Sequence, residues 1–446
     1  MKHNQAKEGR EPHGVNPDAL GHQMHGLMSE LYPICRSITG KGVEKTLRII
    51  RKHVPIKIRR IPTGKKVFDW TVPQEWNIQD AYIRNSKGEK IVDIRKSNLH
   101  VVNYAAPIHQ KMTLAELKRH IHTIPEHPDW IPYVTSYYEK KWGFCMAHRQ
   151  FKGLVNDTYE VKIDSRLSDG HLTYGELYIK GQSEEEVLFS TYLCHPSLCN
   201  DNLSGVVLST FLAKILGGKA LKHSYRFLFV PETIGSIAWL SLNEEKLGNI
   251  KHGLVVTCVG DPGKMTYKRS RRRDAEIDRI VSQVLKESGK PHETIDFFPY
   301  GSDERQYCSP GFNLPVGSLM RTPYGRFPEY HTSADDLRFV SPEYLADSLM
   351  NYLKVVDVIE QNITYANISP KCEPQLGKRG LYSPKGGDKR PPVTGILWVL
   401  NMSDGTKSLL DIAAQSGLRF EDIKAAADAL RKKRLIVECE RLHTAP

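Results

Sequence analysis

His195 and Asp201 stand six residues apart in STYLCHPSLCNDNLSG, where an apolar run gives way to a polar loop and then to a glycine-containing helix start. A buried strand ending at His195 puts both side chains beyond the carboxyl end of a sheet, where open α/β folds gather their ligands. Imidazole and carboxylate are both good zinc ligands. The pair has a plainer use, His195 closing the strand and Asp201 capping the helix, and taken alone it does not decide. In FVPETIGS, Glu232 follows an apolar strand; a carboxylate in low dielectric has a raised pKa and makes a competent general base. The helix dipole would also favour an acid there without any catalysis. His331 sits in PEYHTSADD, after a Pro/Gly-rich stretch and before residues that suit a helix cap. Beside it Ser302, Arg305 and Tyr324 are candidate donors to substrate or a developing oxyanion, or simply loop architecture.

The elements that must position these groups are legible in outline. Helical spacing runs through DALGHQMHGLMSELY and VEKTLRII, with RSITGKG between them as a turn that caps the second helix. After Lys57 come short β-like runs broken by Gly, Pro and Asn. From Tyr159 the strands YEVKIDSRL, GELYIKG, EVLFSTYLCH, YRFLFVPE and GLVVTCVGD follow, the last three almost uniformly apolar and alternating with helices. That rhythm predicts a mostly parallel or mixed sheet buried on both faces. Residues 366–393 read as a linker, and beyond it three short helices and an extended pair suit a winged helix. The expected domains are residues 16–64 with 156–365 for the α/β unit, 65–155 for a β-rich insert, and 375–446 for the winged helix.

Composition removes several alternatives. No stretch of the 446 residues is apolar enough to span a membrane, and the first 24 contain no signal-like apolar core. Eight scattered cysteines without a CxxC suggest reduced thiols rather than a thiolate metal site, so a cytoplasmic protein is expected. The net charge of +12 is spread along the chain apart from KRSRRR and RKKR, and no single basic stripe marks a nucleic-acid partner.

The segments SITGKG, TVPQEW, IPYVTSYY with WGFC, STYLCHPSLCNDNLSG, VPETIGSIAWL and PEYHTSADDL together resemble the zinc aminopeptidase (peptidase family M28-like) superfamily. Within it they resemble the bacterial aminopeptidase-like group of DUF4910 type, which has a DUF2172 insert and a C-terminal winged helix. The resemblance covers about residues 20 to 440. It implies that His195, Asp201 and His331 are metal ligands, Asp201 at the position that bridges two zincs in the family, and that Glu232 is the general base. Two further carboxylate ligands of the family fall on Thr233 and Thr257. The expectation is therefore one zinc per chain on three protein ligands, with a place for water; Asp261 is a candidate fourth ligand.

The expected function is zinc-dependent cleavage of an amide bond, as an aminopeptidase or N-deacylase, in a small peptidyl or acylated-sugar metabolite. Members of the group resembled are associated with polysaccharide or natural-product biosynthesis. Two rivals stay open: a non-catalytic metal-binding scaffold, and a DNA-binding regulator acting through the winged helix. The near charge balance of Arg419–Lys432 is poor for the second. A small-molecule substrate is expected, a membrane is not, nucleic acid is not favoured, and a homo-oligomer is left open.

Overall fold

A computed structural model describes residues 14–382 and 393–439. Residues 383–392 of the expected linker and 440–446 of the expected winged helix lie outside the described residues. The chain divides into two units, the first running to Asp278 and resuming over Pro291–Tyr352, the second made of Arg279–Lys290 and the chain from Leu353 onward.

In the first unit, α1 (Pro17–Leu31) starts at Asn16, whose side chain accepts the Ala19 N–H at 3.0 Å, with proline in the first turn. The turn before α2 (Lys41–Ile50) does not cap it as expected. Thr39 instead accepts the Trp76 N–H and donates to the Gln74 carbonyl. Gly40 occupies the cap position at φ 98°, where a Cβ would lie 2.0 Å from the Trp76 carbonyl oxygen, so only glycine fits.

After β1 (Lys57–Pro62), the broken β runs form a sheet of their own. It contains β2 (Glu75–Arg84), β3 (Lys90–Asp93), β4 (Ile108–Thr113) and β5 (Thr158–Ser168), in the order β3-β2-β5-β4 with every pairing antiparallel. The strand at Tyr159, read from sequence as the first of the catalytic series, thus pairs within this sheet. Its alternation explains why: Tyr159, Val161 and Ile163 enter a core with Ala81, Ile83 and Met112, while the residues between them face outward.

The large sheet adds β6 (His171–Ile179), β7 (Glu186–Tyr192), β8 (Ser224–Val230), β9 (Ile250–Val256), β10 (Met265–Lys268), β11 (His292–Ile295) and β12 (Val316–Met320). Its order is β1-β6-β8-β7-β9-β12-β10-β11. The central four, β8, β7, β9 and β12, are parallel, and antiparallel pairings flank them. Every residue of β7 is buried, as expected of a strand covered on both faces. The helices α3 (Ser204–Leu216) and α4 (Ile234–Asn243) follow β7 and β8. The central strands therefore deliver their carboxyl ends to one edge, with His195, Glu232 and Thr257 just beyond β7, β8 and β9.

Two helices, α5 (Glu276–Glu287) and α6 (Pro342–Gln361), each begin in the first unit and end in the second. The second unit continues with β13 (Thr364–Asn367), α7 (Val393–Met402), β14 (Asp404–Ser408), α8 (Leu409–Ser416), α9 (Phe420–Lys432) and β15 (Ile436–Glu438). The three helices match expectation. The extended pair does not, because β15 and β14 both pair with β13, a strand that takes up the first two residues of the expected linker. No helix among the described residues is long and apolar enough to cross a membrane, and all eight cysteines are free.

Candidate metal site

The Nε2 of His331 lies 3.0 Å from Oδ2 of Asp201, and the Nε2 of His195 lies 4.0 Å from the same oxygen. One ligand atom from each of the three residues falls within 4.8 Å of the others. Asp201 Oδ2 and His331 Nε2 are buried, and their only polar neighbours are the site's own groups, each other above all. Buried polar atoms are nearly always satisfied; a His₂Asp set whose ligand atoms converge on one another, with no partner outside the site, fits a divalent cation. Burial pulls the His195 pKa down to about 4. Burial alone would raise the Asp201 pKa, but the two histidines and a tyrosine hold it to about 2. A neutral imidazole and an ionised carboxylate are the forms that bind metal.

The ligands are tightly held. The Asp335 carboxylate accepts the backbone N–H groups of Asn200 and Asp201 at 2.6 and 2.9 Å, fixing the loop that carries Asp201. Arg36, fully buried, donates Nε to the His195 carbonyl at 2.9 Å. His331 has φ 57° and its ring stacks on Tyr330 at 3.9 Å. A left-handed backbone at a residue other than glycine costs ~1–3 kcal/mol, and such positions gather at functional sites.

On the other side of Asp201 there is no comparable nest. The Tyr192 hydroxyl donates to Asp201 Oδ1 and lies 2.7 Å from Thr257 Oγ1. Thr233, at φ 64°, gives its N–H to Asp303 Oδ1 at 2.7 Å and takes a 3.3 Å contact from Arg305 Nη2 on its hydroxyl. The second oxygen of Asp201 thus meets an O–H, and Thr233 and Thr257, the positions on which the family resemblance puts two further carboxylate ligands, bring hydroxyls. Asp261 does not join the cluster. It accepts from Asn200 Nδ2 at 3.1 Å, from the Gly263 N–H at 2.8 Å and from the Thr322 hydroxyl, which accounts for its burial without a metal.

Glu232 sits 3.8 Å from His195 Nε2 and keeps 26% of its side chain exposed, so it faces the cleft while Asp201 is 1% exposed. Burial first, then the negative charges of Asp303 and Asp201, push its pKa well above the usual carboxylate range. Its N–H points to Cys194 Sγ at 3.3 Å. Cys194, His195 and Glu232 also group within 4.8 Å; burial raises the Cys194 pKa well above the usual thiol range.

Of the three candidate substrate contacts, two carry free donors. Ser302 Oγ and Arg305 Nε are buried without a partner. Tyr324 differs, because its hydroxyl donates to Glu304 Oε1 at 2.8 Å and receives Lys268 Nζ at 2.7 Å. That hydroxyl braces the loop after Tyr300 and has no proton left for substrate. Sequence reasoning missed Tyr192, Asp303, Asp335 and Arg36. Tyr192 reads as one more core aromatic, and Asp335 as helix-capping chemistry.

The family described as "Domain of unknown function (DUF4910)" matches residues 25–362, and one described as "winged helix-turn-helix" matches residues 363–438. A Clostridium acetobutylicum protein named "Putative polysaccharide biosynthesis protein with aminopeptidase-like domain" is 59% identical over 423 residues, covering 94% of this chain and 97% of the relative. The crystal structure of a "putative peptidase" from Clostridium acetobutylicum is similar at TM-score 0.91 and 58% identity, over 95% of this chain and 98% of that one. A zinc aminopeptidase from Bacillus subtilis is similar at TM-score 0.57 and 12% identity, over 76% and 94%, a likeness of fold.

Proposed function

Since the chain belongs to the DUF4910 family, on a scaffold shared with zinc aminopeptidases, we propose that it is a metal-dependent hydrolase of amide bonds, using one zinc and Glu232 as general base. The observation that carries the reading is the convergence of His195, Asp201 and His331 on one buried point, beside a carboxylate that remains open to the cleft. A bound zinc supplies Lewis acidity, lowering the pKa of a water and polarising a carbonyl. Glu232 accepts a proton from the attacking water and returns it to the leaving amine nitrogen. Ser302 Oγ and the Arg305 guanidinium are the proposed donors to the oxygen on which charge develops.

The substrate class we propose is a small peptidyl or acylated amino-sugar molecule handled in the cytoplasm. The relative named for polysaccharide biosynthesis supports the sugar option. A structural metal has no use for a half-open carboxylate next to it, which argues against the scaffold reading. The test uses zinc-loaded protein on L-aminoacyl 4-nitroanilides, their N-acetyl counterparts, and N-acetylhexosamines. Hydrolysis of one class that stops on chelation and returns with zinc is the expected result; no turnover of any of them by zinc-loaded protein refutes the reading.

The winged helix is proposed as a structural module and not a DNA reader. Within the second unit the N-terminus of α9 is occupied: Glu287 of α5 accepts the Phe420 N–H at 2.8 Å, and Arg279 of α5 pairs with Asp411 of α8. Lys424 is paired with Asp428 and Arg419 with Glu421, so two of the helix's cations are neutralised before any phosphate arrives. We expect no sequence-specific complex in a mobility-shift assay at physiological salt. A specific complex that weakens steeply with salt would reverse this assignment.

A further inference from the structure

Resting on the metal reading above, we infer that the inserted β region is part of the metal centre, and that Tyr133 is the positioning residue through which it presents His331. Two segments of the insert, residues 98–103 and 131–133, reach the ligand loops or the arginine that holds one of them. Ile131 and Ser333 exchange hydrogen bonds, the Ile131 N–H to Ser333 Oγ at 2.9 Å and the Ser333 N–H to the Ile131 carbonyl at 2.8 Å. Pro132 pairs with Thr332, and the Tyr133 N–H donates to the carbonyl of His331 itself at 2.8 Å. The insert thus adds a short strand directly to the ligand loop.

The side chain of Tyr133 continues this. Its ring stands edge-on to His331, 5.1 Å between centroids at 86°, and 5.1 Å from the ring of His195. Tyr330 covers a face of His331, so two aromatic rings set the direction of the imidazole, and one belongs to the insert. The Tyr133 hydroxyl is taken up by the Tyr137 hydroxyl at 2.9 Å, and it is the ring and backbone that meet His331.

The same region reaches the other histidine. Asn103 donates Nδ2 to the Arg36 carbonyl at 2.7 Å, and Arg36 holds the His195 carbonyl. Asn98 donates Nδ2 to Ser197 Oγ at 2.8 Å, two residues beyond His195. Ser197 and His331 both have left-handed backbones, at φ 48° and 57°. Neither loop would hold that conformation unaided. Because the insert touches both loops, occupancy of the metal site and docking of the insert are one coupled equilibrium, and each strengthens the other by the same factor.

The test measures zinc affinity by competition with a chromogenic chelator, and does not depend on turnover. Tyr133→Ala is expected to weaken zinc by ~10–100-fold, as loss of a group orienting a metal ligand does, and to alter the visible spectrum of the cobalt-substituted protein. Tyr133→Phe should bind zinc as the wild type does. The reciprocal measurement uses wild-type protein alone: amide exchange at Ile131, Tyr133 and Ser333 should slow when zinc is added. It decides the matter even if Tyr133→Ala fails to fold. Wild-type affinity in Tyr133→Ala, or exchange at 131–133 that ignores zinc, overturns the inference and leaves the hydrolase reading intact. A wild-type protein that binds no zinc overturns both.

Discussion

Glu232→Gln is expected to keep its fold and its metal while losing turnover by ~10²–10⁴-fold, the usual contribution of a positioned acid–base group. The amide is close to isosteric with the carboxylate, and Glu232 lies outside the His195, Asp201 and His331 set. Before metal binds, burial and the charges of Asp303 and Asp201 already raise the Glu232 pKa, so the fold tolerates a neutral side chain there. Thermal stability should therefore be unchanged or slightly higher, so a fall in rate cannot be blamed on unfolding. Chemistry at Glu232 predicts that kcat falls and KM stays close to its wild-type value, because what is lost is a proton transfer that occurs only in the transition state. Loss of zinc in Glu232→Gln would make Glu232 a ligand instead. Unchanged turnover would exclude it as the base.

What could be read in the sequence and what could not follow from the range of the interactions. His195, Asp201, Glu232 and His331 stood out because ionisable residues interrupt or follow apolar runs, and the parallel order of β8, β7, β9 and β12 then brings the first three to one edge. Tyr192 was hidden because it ends a strand in which all seven residues are buried. Nothing local separates a core tyrosine from one whose hydroxyl holds a ligand carboxylate. Long-range pairing was equally invisible. The match of β13 with β15 joins the start of the expected linker to a segment well beyond it, and Tyr133 meets His331 across nearly two hundred residues of chain, with no periodicity to announce it. The strand at Tyr159 did carry a signal, its strict alternation, which separates a sheet with one open face from the doubly covered strands that follow.

The second large effect concerns metal number. We expect about one equivalent of zinc per chain, falling to trace in His195→Ala and in His331→Ala, a larger loss than the ~10–100-fold typical of residues that only support a ligand. The structural reason is on the far side of Asp201. A bridging carboxylate needs a cation at each oxygen, and here Oδ1 receives the Tyr192 hydroxyl, itself in contact with Thr257. Supplying the missing carboxylates should therefore not be enough. Thr233→Glu with Thr257→Asp adds two anions beside a phenol that still occupies Oδ1, next to Asp303 and Glu232, and the expected outcome is a destabilised protein that still binds one zinc. Adding Tyr192→Phe removes the competing O–H and frees Oδ1. The triple variant should then take up a second equivalent, and the second zinc should raise its melting temperature, because a cation relieves the repulsion among the clustered carboxylates and stabilises only the folded state. Two tightly held equivalents in the wild type would contradict the argument at its root. A double variant that takes up a second zinc with Tyr192 intact would show that the phenol yields, and that the two threonines alone set the number of metals.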